Sequence, residues 1–386
     1  MSFLAFPGSQ PALSSAEAFA AFPSTQWRLL EGAFLADTLP ESSLDRLTGC
    51  IKIAKVVLHV PTKECTPALL ADWIKLHPRG EGKLIFSLTW HGSSVMGRRL
   101  PIELKQTLKR VTDRSIRWFE SADGVSPAAI AKLDLINSGY DFTIVEDGAT
   151  CLIAVTTEVQ DADRWTEIDM GRPRRNAKNG MTPPKLAAML THLAGPVDSL
   201  LDPFCGSGTF LLTAGMSGIP HIYGSDILPR IIDDAKLNLA WSQERGHLAA
   251  QSDVHVTVAD ATKPLPLDEG SIDAIVTEGY LGTPLHGDEE THELEREAGQ
   301  VQQLWIDCLP NLVRVLKTNG AVIATLPQYT TKHGKARVEI AEEILTKHGL
   351  QSEPFTLIDG STKLDLSYAR ESQFVGRRIV KWRKAS

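Results

Sequence analysis

Leu201-Asp202-Pro203-Phe204-Cys205-Gly206-Ser207-Gly208-Thr209 is the stretch that decides the fold of this chain. Residues 199–201 lead into it as a short buried strand, and the apolar run 210–216 that follows predicts a helix. The two glycines between them let main-chain N–H groups approach a bound nucleoside, because glycine has no Cβ to clash. The dinucleotide pattern G-x-G-x-x-G is not present, since Leu211 stands where its third glycine would be. The stretch predicts the strand–turn–helix start of a nucleoside-binding α/β domain.

The composition is that of a globular protein with more than one domain. Its 386 residues exceed the usual size of one domain, and 42% hydrophobic with 23% charged residues suffice for a large core. No uninterrupted apolar stretch approaches the roughly 20 residues that span a bilayer, so no membrane association is expected. The five cysteines form no C-x-x-C pair, which favours reduced thiols and a cytoplasmic location. The eleven histidines form no H-E-x-x-H motif, so no metal site is predicted.

Basic residues concentrate in two segments, although the net charge of the chain is −7. For nucleic-acid binding a local basic surface matters more than the total charge. Residues 171–185 contain no acid, and residues 377–384 carry five basic side chains. Each segment is either an RNA contact or a solvated linker or tail. The RNA-contact residues predicted in the first segment are Arg172, Arg174, Arg175 and Lys178.

Strand and helix signals alternate through the C-terminal half, which is typical of a doubly wound parallel sheet. After residues 199–201, further strands are predicted at 221–227, 254–258, 272–277, 321–326, 354–358 and 374–382. Helices are predicted at about 229–241 and 301–316, and a third helix is closed by Gly349. The pattern predicts an α/β domain with a seven-stranded, Rossmann-like sheet.

The N-terminal half has the texture of an α+β region. Strands are predicted at 3–6, 51–60 and 83–89, and a hairpin at 142–145 with 151–156. Ser14-x-x-Glu17 is a capping-box signature before a helix, and a basic helix is predicted at about 101–111. Residues 161–179 are polar and lack apolar periodicity, which predicts a linker. The predicted divisions are therefore 1–60, 61–160, the linker 161–179, and 180–386.

Two acids follow later strands of the predicted sheet. Asp226 ends the second strand, 24 residues after Asp202, where an acid accepts hydrogen bonds from ribose hydroxyls. As an isolated aspartate it could equally cap the next helix. Asp260 ends the third strand, where its carboxylate would accept a hydrogen bond from an adenine amino group, and a turn role competes with this interpretation. A helix is predicted to begin at Pro183, before the strand at 199–201, and Thr182 is predicted to cap it.

The sequence from Asp202 to Thr209 resembles motif I of the methyltransferases that use S-adenosylmethionine (SAM) to methylate amino groups of nucleic acids. In those enzymes the aspartate faces the amino acid end of the cofactor, and the glycines pass under its ribose. The segment equivalent to 180–186 covers the methionine end. The resemblance implies SAM as cofactor, with these contact residues: Thr182, Pro183, Asp202, Phe204, Gly206, Gly208, Thr209, Asp226, Ile227, Asp260 and Ala261.

Residues 277–282, Thr-Glu-Gly-Tyr-Leu-Gly, follow the fourth strand, at the edge where such sheets place reactive groups. The related enzymes usually carry Asp/Asn/Ser-Pro-Pro-Tyr/Phe here. An exocyclic amino nitrogen is a poor nucleophile, and acceptors for its N–H groups favour the form that attacks. The predicted catalytic residues are Glu278 and the Gly279 carbonyl as acceptors and Tyr280 as the stacking face. Glu in place of the shorter acid and the loss of both prolines leave an inactive or differently specific site open.

The ordered set of motifs resembles the THUMP-containing tRNA guanine-N2 methyltransferases of the guanosine-10 type. The resemblance extends into the N-terminal half through the sequences of residues 11–17, 49–55, 159–161 and 171–175. It implies a ferredoxin-like region at 1–60, a THUMP-like RNA-binding region at 61–160 and a SAM-dependent methyltransferase domain at 180–386. The implied partner is tRNA or another structured RNA, bound by a monomer with or without a small activator protein. Two alternatives remain: a DNA adenine N6-methyltransferase, and a non-catalytic RNA-binding relative.

Overall fold

The structure is a computed structural model that describes residues 1–93, 96–120, 124–175, 181–370 and 373–385. The chain forms two compact units: residues 1–15 with 23–163, and residues 16–22 with 164–386. Each unit is built on its own large sheet.

An eight-stranded, mostly antiparallel sheet forms the first unit. Its strands lie in the order β2-β3-β1-β4-β8-β7-β5-β6, and only β5 pairs in parallel, with β6 and β7. The strands are β1 (Phe3–Pro7), β2 (Trp27–Leu30), β3 (Ala33–Ala36), β4 (Cys50–Pro61), β5 (Leu84–His91), β6 (Ile116–Trp118), β7 (Tyr140–Asp147) and β8 (Thr150–Val159). The first four helices along the chain are α1 (Pro11–Ala21), α2 (Pro67–Leu76), α3 (Met96–Val111) and α4 (Pro127–Lys132).

Local sequence explains where several of these helices begin. Thr66 and Ser126 accept hydrogen bonds from the third residue beyond them, and each precedes a proline at the first helical position, of α2 and α4 respectively. Helix α3 buries Leu100, Leu104 and Leu108, which share one face because their spacing is four residues. The apolar face of α3 therefore packs into the core, and its polar face remains outside.

The structure differs from three of the predictions for the N-terminal half. The predicted capping box is wrong, because α1 begins at Pro11 and Ser14 instead donates to the main-chain oxygens of Gln10 and Gly49. Helix α3 begins at Met96, five residues before the predicted start. The predicted boundary at residue 60 lies within β4, whose partners β1 and β8 fall on either side of it in sequence. The hairpin prediction is confirmed by the pairing of β7 with β8.

A sheet with a parallel centre forms the second unit, in the order β11-β10-β9-β12-β13-β19-β15. Its strands, with two short antiparallel partners, are β9 (Ser199–Asp202), β10 (His221–Asp226), β11 (Asp253–Val258), β12 (Ile272–Glu278), β13 (Leu316–Thr330), β14 (Lys335–Arg337), β15 (Leu350–Ser352), β18 (Asp365–Tyr368) and β19 (Val375–Lys384); β16 (Phe355–Thr356) and β17 (Thr362–Lys363) form a separate ribbon. The helices are α5 (Ala162–Met170), α6 (Pro184–Leu193), α7 (Thr209–Met216), α8 (Pro229–Glu244), α9 (Thr291–Val315) and α10 (Glu342–Lys347).

The predicted α/β sheet is confirmed, with seven strands along its main order and β14 and β18 as two additional antiparallel strands. Helix α9 begins at Thr291, ten residues before the predicted start, and two further segments differ. Strand β15 lies at 350–352 rather than at 354–358, and residues 162–170 of the predicted linker form α5. Strand order reverses between β9 and β12, so a crevice opens at the carboxyl ends of these strands. Within the described ranges, no helix is both long and apolar enough to cross a bilayer.

Candidate cofactor and target-base site

The turn after β9 opens a cleft at the reversal point of the sheet. Gly206 and Gly208 adopt φ angles of 50° and 88°, in the left-handed region that favours glycine. The Cys205 N–H donates to the Ser225 carbonyl at 2.8 Å, which ties the turn to β10. The cleft holds about 240 Å³, and its lining includes Thr182, Phe204, Gly206, Thr209, Asp226 and the loop that follows β12. Five of the predicted cofactor residues and all three predicted catalytic residues thus share one cleft.

Asp202 is completely buried beside this turn. Its Oδ1 accepts hydrogen bonds from the Thr277 hydroxyl at 2.6 Å and from the Phe204 N–H at 3.1 Å. Its Oδ2 has no hydrogen-bond partner among the residues that the structure describes. Burial raises the pKa of Asp202 to about 7. A buried acceptor without a donor fits an amino group supplied by a ligand.

Asp226 accepts two hydrogen bonds from nearby main-chain groups, and the alternative that it caps α8 is wrong, because Leu228 precedes this helix without a side-chain cap. Its Oδ2 accepts from the Gly206 N–H at 3.2 Å, so the carboxylate holds the glycine turn. Its Oδ1 accepts from the Leu228 N–H at 3.0 Å, at the residue that precedes α8. The side chain also lines the cleft. Contact with a ribose stays a prediction.

The remaining cofactor predictions concern residues outside the lining of the cleft. The Asp260 carboxylate turns toward its own loop, where Oδ1 accepts from the Thr262 hydroxyl at 2.7 Å, and this bond lowers its pKa. Ile227 is exposed and Ala261 is buried. Pro183 is the residue that precedes α6, without a side-chain cap, so the prediction that Thr182 caps this helix is wrong. The cofactor contacts of Pro183, Gly208, Ile227, Asp260 and Ala261 stay predictions.

The loop after β12 presents an aromatic ring beside the cofactor cleft. Tyr280 is 49% exposed, so about half of its surface is open to solvent. Gly279 is required for space, because a Cβ there would lie 2.8 Å from the Trp305 ring. The Tyr329 hydroxyl donates to the Leu281 carbonyl at 2.9 Å. The loop is therefore fixed by contacts on both sides of Tyr280.

Four donors from the chain surround the Glu278 carboxylate. Oε1 accepts from the Thr182 hydroxyl at 2.6 Å and from Arg377 Nη2 at 3.0 Å. Oε2 accepts from Arg377 Nε and from the Thr325 hydroxyl, the latter at 3.3 Å. A carboxylate offers about four acceptor positions, so all are filled. The role of Glu278 as direct acceptor for a base stays a prediction that requires one of these bonds to open.

Sequence reasoning missed the role of Arg377 and misplaced that of Arg172. By sequence alone Arg377 belongs to a basic tail, although its side chain is 5% exposed and pairs with Glu278. Arg172 is 4% exposed and donates from Nη1 to the Thr209 hydroxyl at 2.8 Å. Burial lowers the pKa of Arg172 to about 10. The prediction that Arg172 contacts RNA is wrong, because its side chain is enclosed by the protein.

The rest of the predicted RNA segment is divided between exposed residues and one that lies outside the described ranges. Arg174 and Arg175 are exposed, and Arg174 lines the cleft, with its Nε 3.4 Å from Asp234. Lys178 lies outside the described residues. No group of three metal-ligating side chains occurs in the described part of the chain.

Comparison with known proteins places the cleft in a methyltransferase domain. Residues 172–332 match the model of the RMKL-like methyltransferase domain family. The chain is 37% identical to the tRNA (guanine(10)-N2)-dimethyltransferase of Methanothermobacter thermautotrophicus over 121 residues, 31% of this chain and 33% of the relative. It is 29% identical to the enzyme of the same name from Methanocaldococcus jannaschii over 204 residues, 51% of this chain and 52% of the relative. The matches thus span about half or less of the relatives' own length.

A solved structure matches this chain along its whole length. TrmN from Thermus thermophilus superposes with a TM-score of 0.51 at 17% identity, covering 100% of both chains. This likeness concerns the fold of the chain. Together with the domain match at residues 172–332, it confirms the predicted methyltransferase fold. The sequence matches agree with the predicted family over part of the chain, and the THUMP assignment of residues 61–160 stays a prediction. Residues 172–332 thus match an RMKL-like methyltransferase domain, and parts of the chain are similar to tRNA (guanine(10)-N2)-dimethyltransferases.

Proposed function

We propose that this protein transfers the methyl group of SAM to the exocyclic N2 of a guanosine in tRNA. One observation carries the proposal: the cleft beside the buried, half-satisfied Asp202 continues to a loop that presents Tyr280. A nucleoside cofactor and a target base therefore have adjoining places. The names of the matched relatives supply the substrate class.

The residues present fit the proposed cofactor. The Asp202 Oδ2 offers an acceptor to the amino group of its methionine part. The turn at Gly206 leaves room beneath a ribose, and Asp226 lies on the same edge with its carboxylate in the cleft. The bound cofactor supplies an activated methyl group. The chain's task is to hold it in the cleft and to exclude other ligands.

On the target side, the proposal assigns capture and orientation to the loop after β12. Tyr280 stacks on a base that has left its helix, an interaction worth about 1–3 kcal/mol per base. The Gly279 carbonyl accepts a hydrogen bond from the amino group, and Glu278 shapes the loop from which that carbonyl projects. The proton of the amino group leaves to solvent after transfer, so no strong base is needed.

RNA contact is supported by a basic surface in the first unit that the linker prediction did not include. The segment 96–118, which contains α3 and β6, carries seven basic and two acidic residues, a net charge of +5 in a chain of net charge −7. Its exposed basic side chains are Arg98, Arg99, Lys109, Arg110 and Arg117. Phosphate groups are the ligands that such a surface attracts. The proposal includes tRNA as the partner, action as a monomer and a cytoplasmic location; the need for an activator protein stays a prediction.

Nucleoside mass spectrometry tests the proposal against its two alternatives. Purified protein is incubated with SAM and either unmodified tRNA or duplex DNA, and the products are digested to nucleosides. We expect N2-methylguanosine or its dimethyl form from tRNA, and a strong loss in the Tyr280→Ala variant with cofactor binding retained. N6-methyladenine in DNA would favour the first alternative. Cofactor and RNA binding without any methylated nucleoside would favour the non-catalytic relative.

A further inference from the structure

The Glu278–Arg377 pair lies at a point where four separate segments of the second unit meet. Glu278 ends β12, Arg377 lies on β19, and β13 runs between these two strands. Thr325 on β13 donates to the same carboxylate at 3.3 Å. Thr182, just before α6, donates to it at 2.6 Å. One carboxylate thus joins the target-base loop, the last strand and the segment that precedes α6.

Because it is buried, the Glu278–Arg377 ion pair is difficult to replace by other contacts. The Glu278 and Arg377 side chains are 7% and 5% exposed, and the guanidinium contacts the carboxylate through both Nε and Nη2. A bidentate pair of this kind fixes direction as well as distance. Removing either partner leaves the other charge buried without compensation, which strongly destabilises the local structure.

The loop beyond Glu278 is held at further points in the same way. Trp305 leaves no room for a side chain at position 279, and Tyr329 binds the Leu281 carbonyl. The Thr283 N–H donates to Glu297 Oε1 at 2.7 Å. These contacts restrict a loop that lacks the two prolines of the usual pattern. Side chains from distant segments take over the stiffening that proline rings would provide.

We propose that Arg377 and Glu278 act together as a positioning pair. The pair holds the target-base loop in the position required for methyl transfer. The pair deepens the proposed function and rests on it. Glu278 remains bound to Arg377 throughout the reaction and does not touch the base. Gly279 and Tyr280 then contact the target nucleotide. Arg377 affects the rate of methyl transfer indirectly, because it fixes the position of the loop.

Arg377→Met separates this proposal from a direct role of Glu278. If the pair positions the loop, this variant loses about 100-fold in the single-turnover rate at saturating tRNA, because a misplacement of about 1 Å costs that much. Arg377→Lys keeps the charge but not the bidentate geometry and recovers part of the rate. Glu278→Gln with Arg377→Met removes both charges and is at least tenfold faster than Arg377→Met alone. If Arg377→Met instead keeps or exceeds the wild-type rate, Glu278 acts on the base directly and the proposal is overturned.

Arg378→Met is the matched control on the same strand. Arg378 pairs with Asp365 at 3.2 Å, and its side chain is 14% exposed. Its loss is expected to leave the rate within about twofold of wild type, because its carboxylate partners Asp365 and Glu339 are 40% and 52% exposed and remain hydrated without it. The thermal midpoint of each variant is measured in parallel. A loss of rate that follows the midpoint equally in Arg377→Met and Arg378→Met would overturn the positioning role.

A readout without RNA keeps this test independent of the proposed function. The affinity for SAM, measured by calorimetry, is expected to be coupled between positions 278 and 377, because Thr182 binds the same carboxylate and lines the cofactor cleft. Strictly additive effects of Glu278→Gln and Arg377→Met on this affinity would overturn the proposal that the two residues act as a pair. A wild-type protein that methylates no nucleic acid, but shows this coupling, would contradict only the proposed function.

Discussion

At the scale of single residues, Asp202 shows how a fold reserves a place for a ligand. One of its oxygens is satisfied by Thr277 and the Phe204 N–H, and the other lacks a donor among the described residues. An unsatisfied buried acceptor costs about 1–3 kcal/mol. Such a cost is expected to be offset when a ligand brings the missing donor. We therefore expect the charged end of the cofactor to bind beside Asp202.

The affinity for SAM should rise with pH as Asp202 ionises. Burial raises the pKa of Asp202 to about 7, whereas the amino group of the cofactor stays charged up to about pH 8. Affinity is expected to increase from pH 5.5 to 7.5, with proton release on binding at pH 6. In the free protein the same carboxyl lowers stability as the pH rises from about 4 to 7, because the folded state holds the proton more tightly. Calorimetry in two buffers of different ionisation enthalpy measures the release. Proton uptake, or a pH-independent affinity that Asp202→Asn leaves unchanged, would contradict the assignment.

At the scale of elements, a buried polar cluster joins four strands of the first unit. Lys52 of β4 lies 2.8 Å from Asp141 of β7, and both are buried. Ser87 of β5 and Thr156 of β8 each donate to the same carboxylate at 2.6 Å. A charged group at this depth requires partners on neighbouring strands. The cluster therefore specifies the register of β4, β5, β7 and β8.

Asp141→Ala should destabilise the first unit by about 3–5 kcal/mol, because it leaves the Lys52 ammonium buried without a counter-charge. Ser87→Ala removes one of several donors and is expected to cost about 1 kcal/mol. Replacing both charges, by Lys52→Met with Asp141→Leu, should cost less than Asp141→Ala alone. Hydrogen exchange of the amides in β4, β7 and β8 reports these changes within the unit. Equal protection in Asp141→Ala and Ser87→Ala would show that the ion pair does not hold the strands.

At the scale of the whole molecule, the distribution of charge matters more than its sum. The chain carries −7 overall, and the segment 96–118 carries +5. An acidic chain repels nucleic acid in general, so under the proposed function RNA is expected to bind at this local basic surface. In the linker, Arg172 is buried, which leaves less of the predicted basic surface there.

Neutralising Arg99, Lys109 and Arg110 to Gln should weaken tRNA binding and flatten its salt dependence. The slope is expected to fall by about 0.7–0.9 for each phosphate group that the variant no longer neutralises. The matched control replaces Lys63, Lys83 and Lys132, which are exposed lysines of the same unit outside segment 96–118. Fluorescence anisotropy between 50 and about 200 mM salt measures both slopes. If the two triple variants shift the slope equally, the effect is one of net charge and α3 is not an RNA-contact helix.

Local patterns in the sequence were enough to predict the α/β class of the second unit and the parallel centre of its sheet. The Asp-Pro-Phe-Cys-Gly-Ser-Gly turn, the alternation of strands with helices and the acid at the end of β10 are short-range features. They act within one turn or one strand, so their consequences are readable without knowledge of distant partners. The same reasoning located the loop at 277–282 and the exposed Tyr280.

Only the tertiary structure decided which polar groups are buried and which partners they have. Glu278 and Arg377 lie 99 residues apart, and Lys52 and Asp141 lie 89 apart. The sequence alone presents each as an ordinary charged residue, and it presents Arg172 as part of a solvated basic run. Burial and pairing depend on strand order and on the packing of distant segments. In a low-dielectric interior, that packing changes the energy of a charge more than its sequence neighbours do.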